Sequence, residues 1–136
     1  MSEQKKKQFV STPFKLWNFS QSTTFADNDV YKVMDLPLRD TKGQVRFTVS
    51  TTQLHPKAST RGHQHDMWEV YSFTQGEGVM TVSIGNKIEN VLVKQGEYAF
   101  VEGNMYHKVT NFSESVDLCF YTLSPELVKR PPIITQ

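Results

Sequence analysis

The chain predicts an all-β domain of two sheets packed face to face, and three observations carry that expectation. Runs rich in β-branched and aromatic residues recur about every eight to twelve positions between Val30 and Leu123, bounded by turn residues. Apolar and polar residues alternate within them, as in Val45, Phe47 and Val49 against Arg46, Thr48 and Ser50, which is the period of a strand with one buried face. Hairpin signals join neighbouring runs, Asp40-Thr41-Lys42-Gly43 and Gly85-Asn86 among them. Many short strands of this kind form a sandwich or barrel, and a jelly roll protects its edges by wrapping two sheets together.

Residues 1–8 are polar and charged and are expected to form a flexible tail ahead of a single domain over 9–130. Phe9–Phe19 concentrates aromatic side chains, with Pro13 marking an edge or a strand start. It is expected to lie across its own sheets or a partner's. Ser20–Asn28 reads as a polar loop. Val30–Leu38 and Val45–Leu54 read as a hairpin around the Asp40–Gly43 turn. Val70–Thr74, Val79–Ile84, Lys87–Val93, Tyr98–Val101, Tyr106–Thr110 and Val116–Leu123 supply the remaining strands. Ser124 then offers a cap and Pro125 a first-turn proline for a short C-terminal helix through Lys129, which Pro131-Pro132 ends. No internal repeat, low-complexity tract or second domain interrupts this order.

Composition narrows the class of function. At 136 residues the chain is one domain by size and can bury a core without staples. Its formal charge is +1, and setting aside Lys5, Lys6 and Lys7 leaves 12 basic against 14 acidic residues. Nucleic-acid binding would call for a basic face, so none is expected. The single cysteine, Cys119, excludes an internal disulfide and fits a reducing compartment. No apolar run approaches the roughly 18 residues of a membrane span, and residues 1–8 lack the apolar stretch of a signal peptide. A soluble, cytoplasmic protein is expected.

Chemistry concentrates in Arg61-Gly62-His63-Gln64-His65-Asp66-Met67-Trp68-Glu69. Side chains alternate along a strand, so His63 and His65 face the same way, about 7 Å apart along an extended chain. Glu69 shares their parity, and a turn at Asp66-Met67 would bring it to the same centre. Two imidazoles and a carboxylate on one face suit a divalent transition metal. His107 is the natural source of a third imidazole. A His-x-His on a strand is more often solvated or held in a turn, but three of the four histidines fall into this one constellation.

These residues resemble the cupin family, whose first motif reads G-x5-H-x-H-x3,4-E-x6-G and whose second reads G-x5-P-x-G-x2-H-x3-N. His63, His65, Glu69 and Gly76 match the first, and Gly96, His107 and Asn111 the second. The first motif's leading glycine falls on Lys57, with Gly62 nearby, and Glu102-Gly103-Asn104 replaces Pro-x-Gly. Gly and Asn both tolerate positive φ, so that turn remains feasible. The resemblance spans roughly residues 45–123. It implies a double-stranded β-helix, or jelly-roll barrel, with His63, His65, Glu69 and His107 holding one divalent ion of Fe, Mn, Ni, Co, Cu or Zn. It also implies a homodimer.

Such a set leaves one or two positions open on an octahedral ion, the mark of a catalytic site. Two enzyme classes follow: oxygenase chemistry on an enediol, thiol or catechol, and sugar isomerisation through an enediolate. A non-catalytic sensor and a metal-free nucleotide-sugar isomerase or epimerase are the alternatives. Around the centre, Arg61 is a candidate to bind a carboxylate or phosphate, though a solvated strand-end arginine is the blander assignment. Tyr71, of the same parity as Glu69, is a candidate proton donor or acceptor as well as a core residue. Tyr98, Tyr106 and Met105 are expected at the mouth, Phe100 and Phe120 in the core, and Trp68 outside at a dimer interface. His55 is expected at the surface and Cys119 as a small buried hydrophobe. Glu102 reads as a solvated turn residue or an accessory acid.

Overall fold

The computed structural model describes residues 15–125. A 3-10 turn, Phe19–Gln21, precedes nine strands: β1 Thr23–Asp27, β2 Tyr31–Arg39, β3 Val45–Leu54, β4 Glu69–Gln75, β5 Glu77–Ile84, β6 Lys87–Lys94, β7 Tyr98–Val101, β8 His107–Thr110 and β9 Leu118–Pro125. All pairings between these strands are antiparallel. One sheet has the order β1-β2-β3-β9-β4-β7 and the other β6-β5-β8. Non-consecutive neighbours, β9 between β3 and β4 and β8 beside β5, are the jelly-roll signature of two sheets wound together.

The expected strands are present, and five details differ. On β3 the buried face is Thr48, Ser50, Thr52 and Leu54 rather than Val45, Phe47 and Val49, with Phe47 exposed, because pairing with β2 and β9 rather than the strand's own alternation sets which face turns inward. Ser20–Asn28 is not all loop: Thr23–Asp27 forms edge strand β1, with a bulge between Thr24 and Ala26. An edge strand needs only backbone pairing on one side, so a polar stretch suffices. Ser124 and Pro125 do not open a helix but end β9, paired to Thr48 and Phe47, and Ser124 continues the buried parity of Leu118 and Phe120; Glu126–Lys129 lies outside the described residues. Phe100 is 61 % exposed rather than in the core, since it is paired with Val70 on the outer face of the six-stranded sheet. Cys119 is half-buried, and burial together with the Asp117 carboxylate pushes its thiol pKa up. Of Phe9–Phe19, only Lys15 onward is described, where Leu16 and Phe19 are exposed.

Between the sheets lies a core of Leu54, Tyr71, Phe73, Met80, Val93, Val101, Val109, Leu118 and Phe120. Tyr71, Phe73 and Phe120 pack as a three-ring cluster with centroids 5.5–6.2 Å apart. Along the inner face, residues change character from one end to the other. Phe73, Tyr71 and Glu69 follow one another on β4, and Leu118, Phe120, Thr122 and Ser124 on β9, all buried. Buried polar side chains thus replace apolar ones at one end of these strands.

Candidate metal centre

Along its β8 edge the three-stranded sheet is flanked by an irregular segment. Residues 59–63 run beside β8 through two isolated bridges, Ser59 with Thr110 and His63 with His107. His63 and His107 exchange both main-chain hydrogen bonds, at 3.1 and 2.9 Å, which fixes them as directly opposite residues. Two histidines 44 positions apart in sequence thereby meet, their ring centroids 4.4 Å apart. Past His63, the main chain of His65 is held by the Asn104 amide, and Glu69 begins β4.

Donor atoms of His63, His65, Glu69 and His107 all lie within 4.8 Å of one another. The orientation of the rings is built in by the backbone. His63 Nδ1 donates to the Arg61 carbonyl at 2.9 Å, His65 Nδ1 to Met67 at 2.9 Å and His107 Nδ1 to Met105 at 2.8 Å. A carbonyl only accepts, so each Nδ1 carries a proton and each neutral ring keeps its Nε2 lone pair for the interior. Glu69 Oε1 lies 3.0 Å from His65 Nε2 and 2.9 Å from His107 Nε2. Lone pairs do not pack against a carboxylate oxygen unless positive charge lies between them, as a proton or a cation. This donor set therefore fits a divalent metal, whose imidazole and carboxylate ligands sit about 2.0–2.2 Å from the ion.

Burial is graded across the four. His107 is 1 % exposed and Glu69 8 %, whereas His63 faces solvent and marks the open side. Burial pushes the Glu69 pKa upward, but the His107 hydrogen bond, the His107 and His65 rings and the Ser124 hydroxyl outweigh it and hold the carboxyl at about 2. For His63, desolvation of the ring lowers its pKa; the Arg61 carbonyl raises it again in part, and the His107 ring lowers it further.

The other expected residues divide. Tyr71 is buried beside the donors, its hydroxyl donating to Glu69 Oε1 at 3.4 Å and its ring edge-on to His107. Arg61 is exposed and serves the centre through its carbonyl. Tyr98 is 75 % exposed and paired with Ser72, so the pleat turns it away from the face that carries Glu69. Tyr106 is opposite in parity to His107, and its hydroxyl lies against the Gly62 backbone where any Cβ would collide; it packs behind the donor segment rather than at its mouth. Trp68 rests on Phe100 on the outside. His55 is half-buried and contacts Asp117 at 3.3 Å, away from the centre. Glu102 is exposed. Ser124 went unrecognised in the sequence: its buried hydroxyl donates to Glu69 Oε2 at 3.1 Å. Its shared parity with Leu118 and Phe120 was the available signal.

All four glycine positions of the two cupin motifs adopt positive φ here: Lys57 at 65°, Gly76 at 86°, Gly96 at 91° and Asn104 at 64°. Lys57 and Asn104 are the only non-glycine residues with positive φ among the described residues. Each stands third in a four-residue turn closed by a main-chain hydrogen bond, Ala58 to His55 and Met105 to Glu102, the place where a type II turn calls for glycine or asparagine. Gly103 cannot be replaced there, because a Cβ would meet the Asp66 carbonyl. Asn111, the last motif residue, is 1 % exposed and its amide donates to the Leu54, His55 and Val116 carbonyls. Its role is to tie the loops together.

No protein-family model and no curated protein matches the sequence. Solved structures do match the fold. Oxalate decarboxylase from Bacillus subtilis, described with Mn(II) centres, superposes with a TM-score of 0.70 at 14 % identity, over 81 % of this chain and 29 % of that one. Vicilin from Corylus avellana (hazelnut) gives 0.71 at 14 % identity, over 82 % and 32 %. The chain thus spans under a third of the length of either protein. Both share its two-sheet jelly roll.

Proposed function

We propose that this chain, whose fold is that of the cupins, is a mononuclear metal-dependent enzyme acting on a small oxygenated molecule. Support comes from one observation above all: three histidines, each locked through Nδ1 to a carbonyl, aim Nε2 at a single buried carboxylate. The same fold carrying Mn(II) centres in oxalate decarboxylase supports a metal enzyme. His63, His65, Glu69 and His107 would hold the ion, which when bound polarises substrate oxygens or acidifies water. Ser124 and the buried Glu69 oxygen it meets fix the carboxylate's orientation. Tyr71, beside Glu69, is the group placed to pass a proton. His63, on the solvent side, borders the entry.

The Nε2–Oε1 distances of 3.0 and 2.9 Å also favour a second reading, in which protonated His65 and His107 pair with Glu69 and the site works as a metal-free acid/base. Metal analysis of protein purified without chelator separates the two. About one equivalent of a transition metal is expected, falling below a tenth in His65→Ala while the circular dichroism spectrum is retained. A wild-type chain that takes up no ion at neutral pH would overturn the metal reading.

The proposal extends to a homodimer in a soluble, cytoplasmic setting. Trp68, Phe100, Tyr98 and Tyr121 line up on the outer face of the six-stranded sheet, the last three exposed. Neighbouring exposed aromatic side chains of this kind fit a partner surface. Light scattering should give twice the chain mass, and a monomer at all concentrations would remove the idea. No helix among the described residues is long and apolar enough to cross a membrane.

A further inference from the structure

Beside the donor cluster, where β6 and β7 are edge strands of opposite sheets, lies a cavity of about 270 Å³. Its walls include Val82, Ile84, Val91, Ala99, Val101 and Met105, and every lining side chain is apolar. Two of these residues are the direct cross-strand partners of metal-centre donors. Val82 pairs with His107, and Val101 with Glu69. Directly opposed residues carry their Cβ atoms on one face about 4.5–5.5 Å apart. Met105 adds a third link, since its carbonyl holds His107 Nδ1. The slot is thus one side chain away from Glu69 and His107, which do not themselves line it. At its rim, Ile84 is 54 % and Val91 47 % exposed, apolar surface that a bound body would take out of water.

We infer that this slot is the body-binding half of the same site, so that the ligand is amphiphilic: an oxygen-donor head at the four-residue centre and a compact hydrocarbon or aryl body between the sheets. The inference rests on the metal reading and narrows it. A sugar would set its hydroxyls against walls that return no hydrogen bond, and each unpaired polar group is costly. A phosphate or second carboxylate would find no cation among the lining residues. Volume agrees, since a cavity of about 150 Å³ already holds a benzene ring. Of the two chemistries open to the centre, ring- or chain-bearing enols and catechols fit this chain and sugars do not.

A hydroxamate series on the metal-loaded full chain tests this, because the chelating head stays constant while the body grows. Acetohydroxamate, butyrohydroxamate, hexanohydroxamate and benzohydroxamate are titrated by calorimetry, with metal content measured on each sample. Affinity should rise about threefold to fourfold per added methylene, and benzohydroxamate should bind at least about tenfold more tightly than acetohydroxamate. Ala99→Phe, which fills the slot, and Ile84→Asp, which charges its exposed rim and spares the core, should flatten the series while metal content and acetohydroxamate affinity hold. A flat series on loaded wild-type protein would overturn the inference and leave the metal reading intact. A steep series indifferent to Ile84→Asp, and to Ala99→Phe where that variant folds, would also overturn it. Failure of the chain to load metal would instead defeat the underlying reading, and this one with it.

Discussion

The interior has two ends, built on the same strands. At one end Leu54, Phe73, Val109, Leu118 and Phe120 meet with almost no exposed surface. At the other, the same strands carry Glu69, His107, Thr122 and Ser124, equally buried. The apolar core and the candidate metal centre are thereby separated along each strand by a few residues rather than assigned to different elements. An apolar end stabilises through area removed from water. A polar end costs desolvation and holds only because its groups satisfy one another, and no buried side-chain nitrogen or oxygen lacks a hydrogen-bond partner among the described residues.

The sharpest contrast comes from truncating one residue at each end. Phe73→Ala should cost about 3–5 kcal/mol of unfolding free energy, measured in urea, because it empties a ring-sized volume at the closed end. His65→Ala should abolish metal uptake and change the stability of the metal-free protein by less than about 1 kcal/mol, since its ring is only half-buried. If both variants unfold alike, the two ends are one cooperative polar–apolar unit and the separation fails.

Asn111→Ala is next in size. It would leave the Leu54, His55 and Val116 carbonyls, the first of them buried, without its amide, a loss of about 2–3 kcal/mol. Metal content in the folded fraction should not change; a drop would show that Asn111 serves the centre as well as the loops.

Acid sensitivity probes the polar end alone. In the metal-free protein the Glu69 carboxyl is held at about 2, against about 4.3 in an unfolded chain. The folded state therefore takes up this proton less readily, so the contribution is complete above about pH 4.3 and is lost as pH falls towards 2. His63, lowered from 6.5, adds an earlier loss in the same direction as pH falls through that value. Glu69→Gln should remove the lower-pH loss from a stability–pH curve. Phe73→Val, at the apolar end, should shift the whole curve without changing its shape.

The smallest effect concerns the two turns that flank the centre. Lys57 bears positive φ at a lysine, whereas Asn104 tolerates it more readily. Lys57→Gly should stabilise the chain by up to about 1 kcal/mol, the strain relief offset in part by unfolded-chain entropy. Asn104→Gly should be nearer to neutral. A destabilised Lys57→Gly variant, seen in the thermal midpoint, would show that its contact with Glu114 at 3.7 Å matters more than the backbone.

What the sequence determined by itself was local and periodic. Alternation gave the inner face of β4 through Tyr71 and Phe73 but not that of β3, where Thr48, Ser50 and Thr52 point inward and Phe47 outward; turn residues placed the hairpins, and the His63, His65 and Glu69 spacing with the second-motif His107 pointed to four candidate ligands. Tertiary pairing decided the rest. Ser124 could be a helix cap or a strand residue until β9 paired with β3 and β4, and only then did its hydroxyl meet Glu69. Phe100 and Tyr98 read as core or mouth until β7 paired with β4 and turned them outward. The apolar slot was invisible for the same reason: Val82 and Val101 become neighbours of His107 and Glu69 through cross-strand hydrogen bonds. A strand's own sequence sets which residues share a face, but which face meets water or a neighbour depends on partners far along the chain.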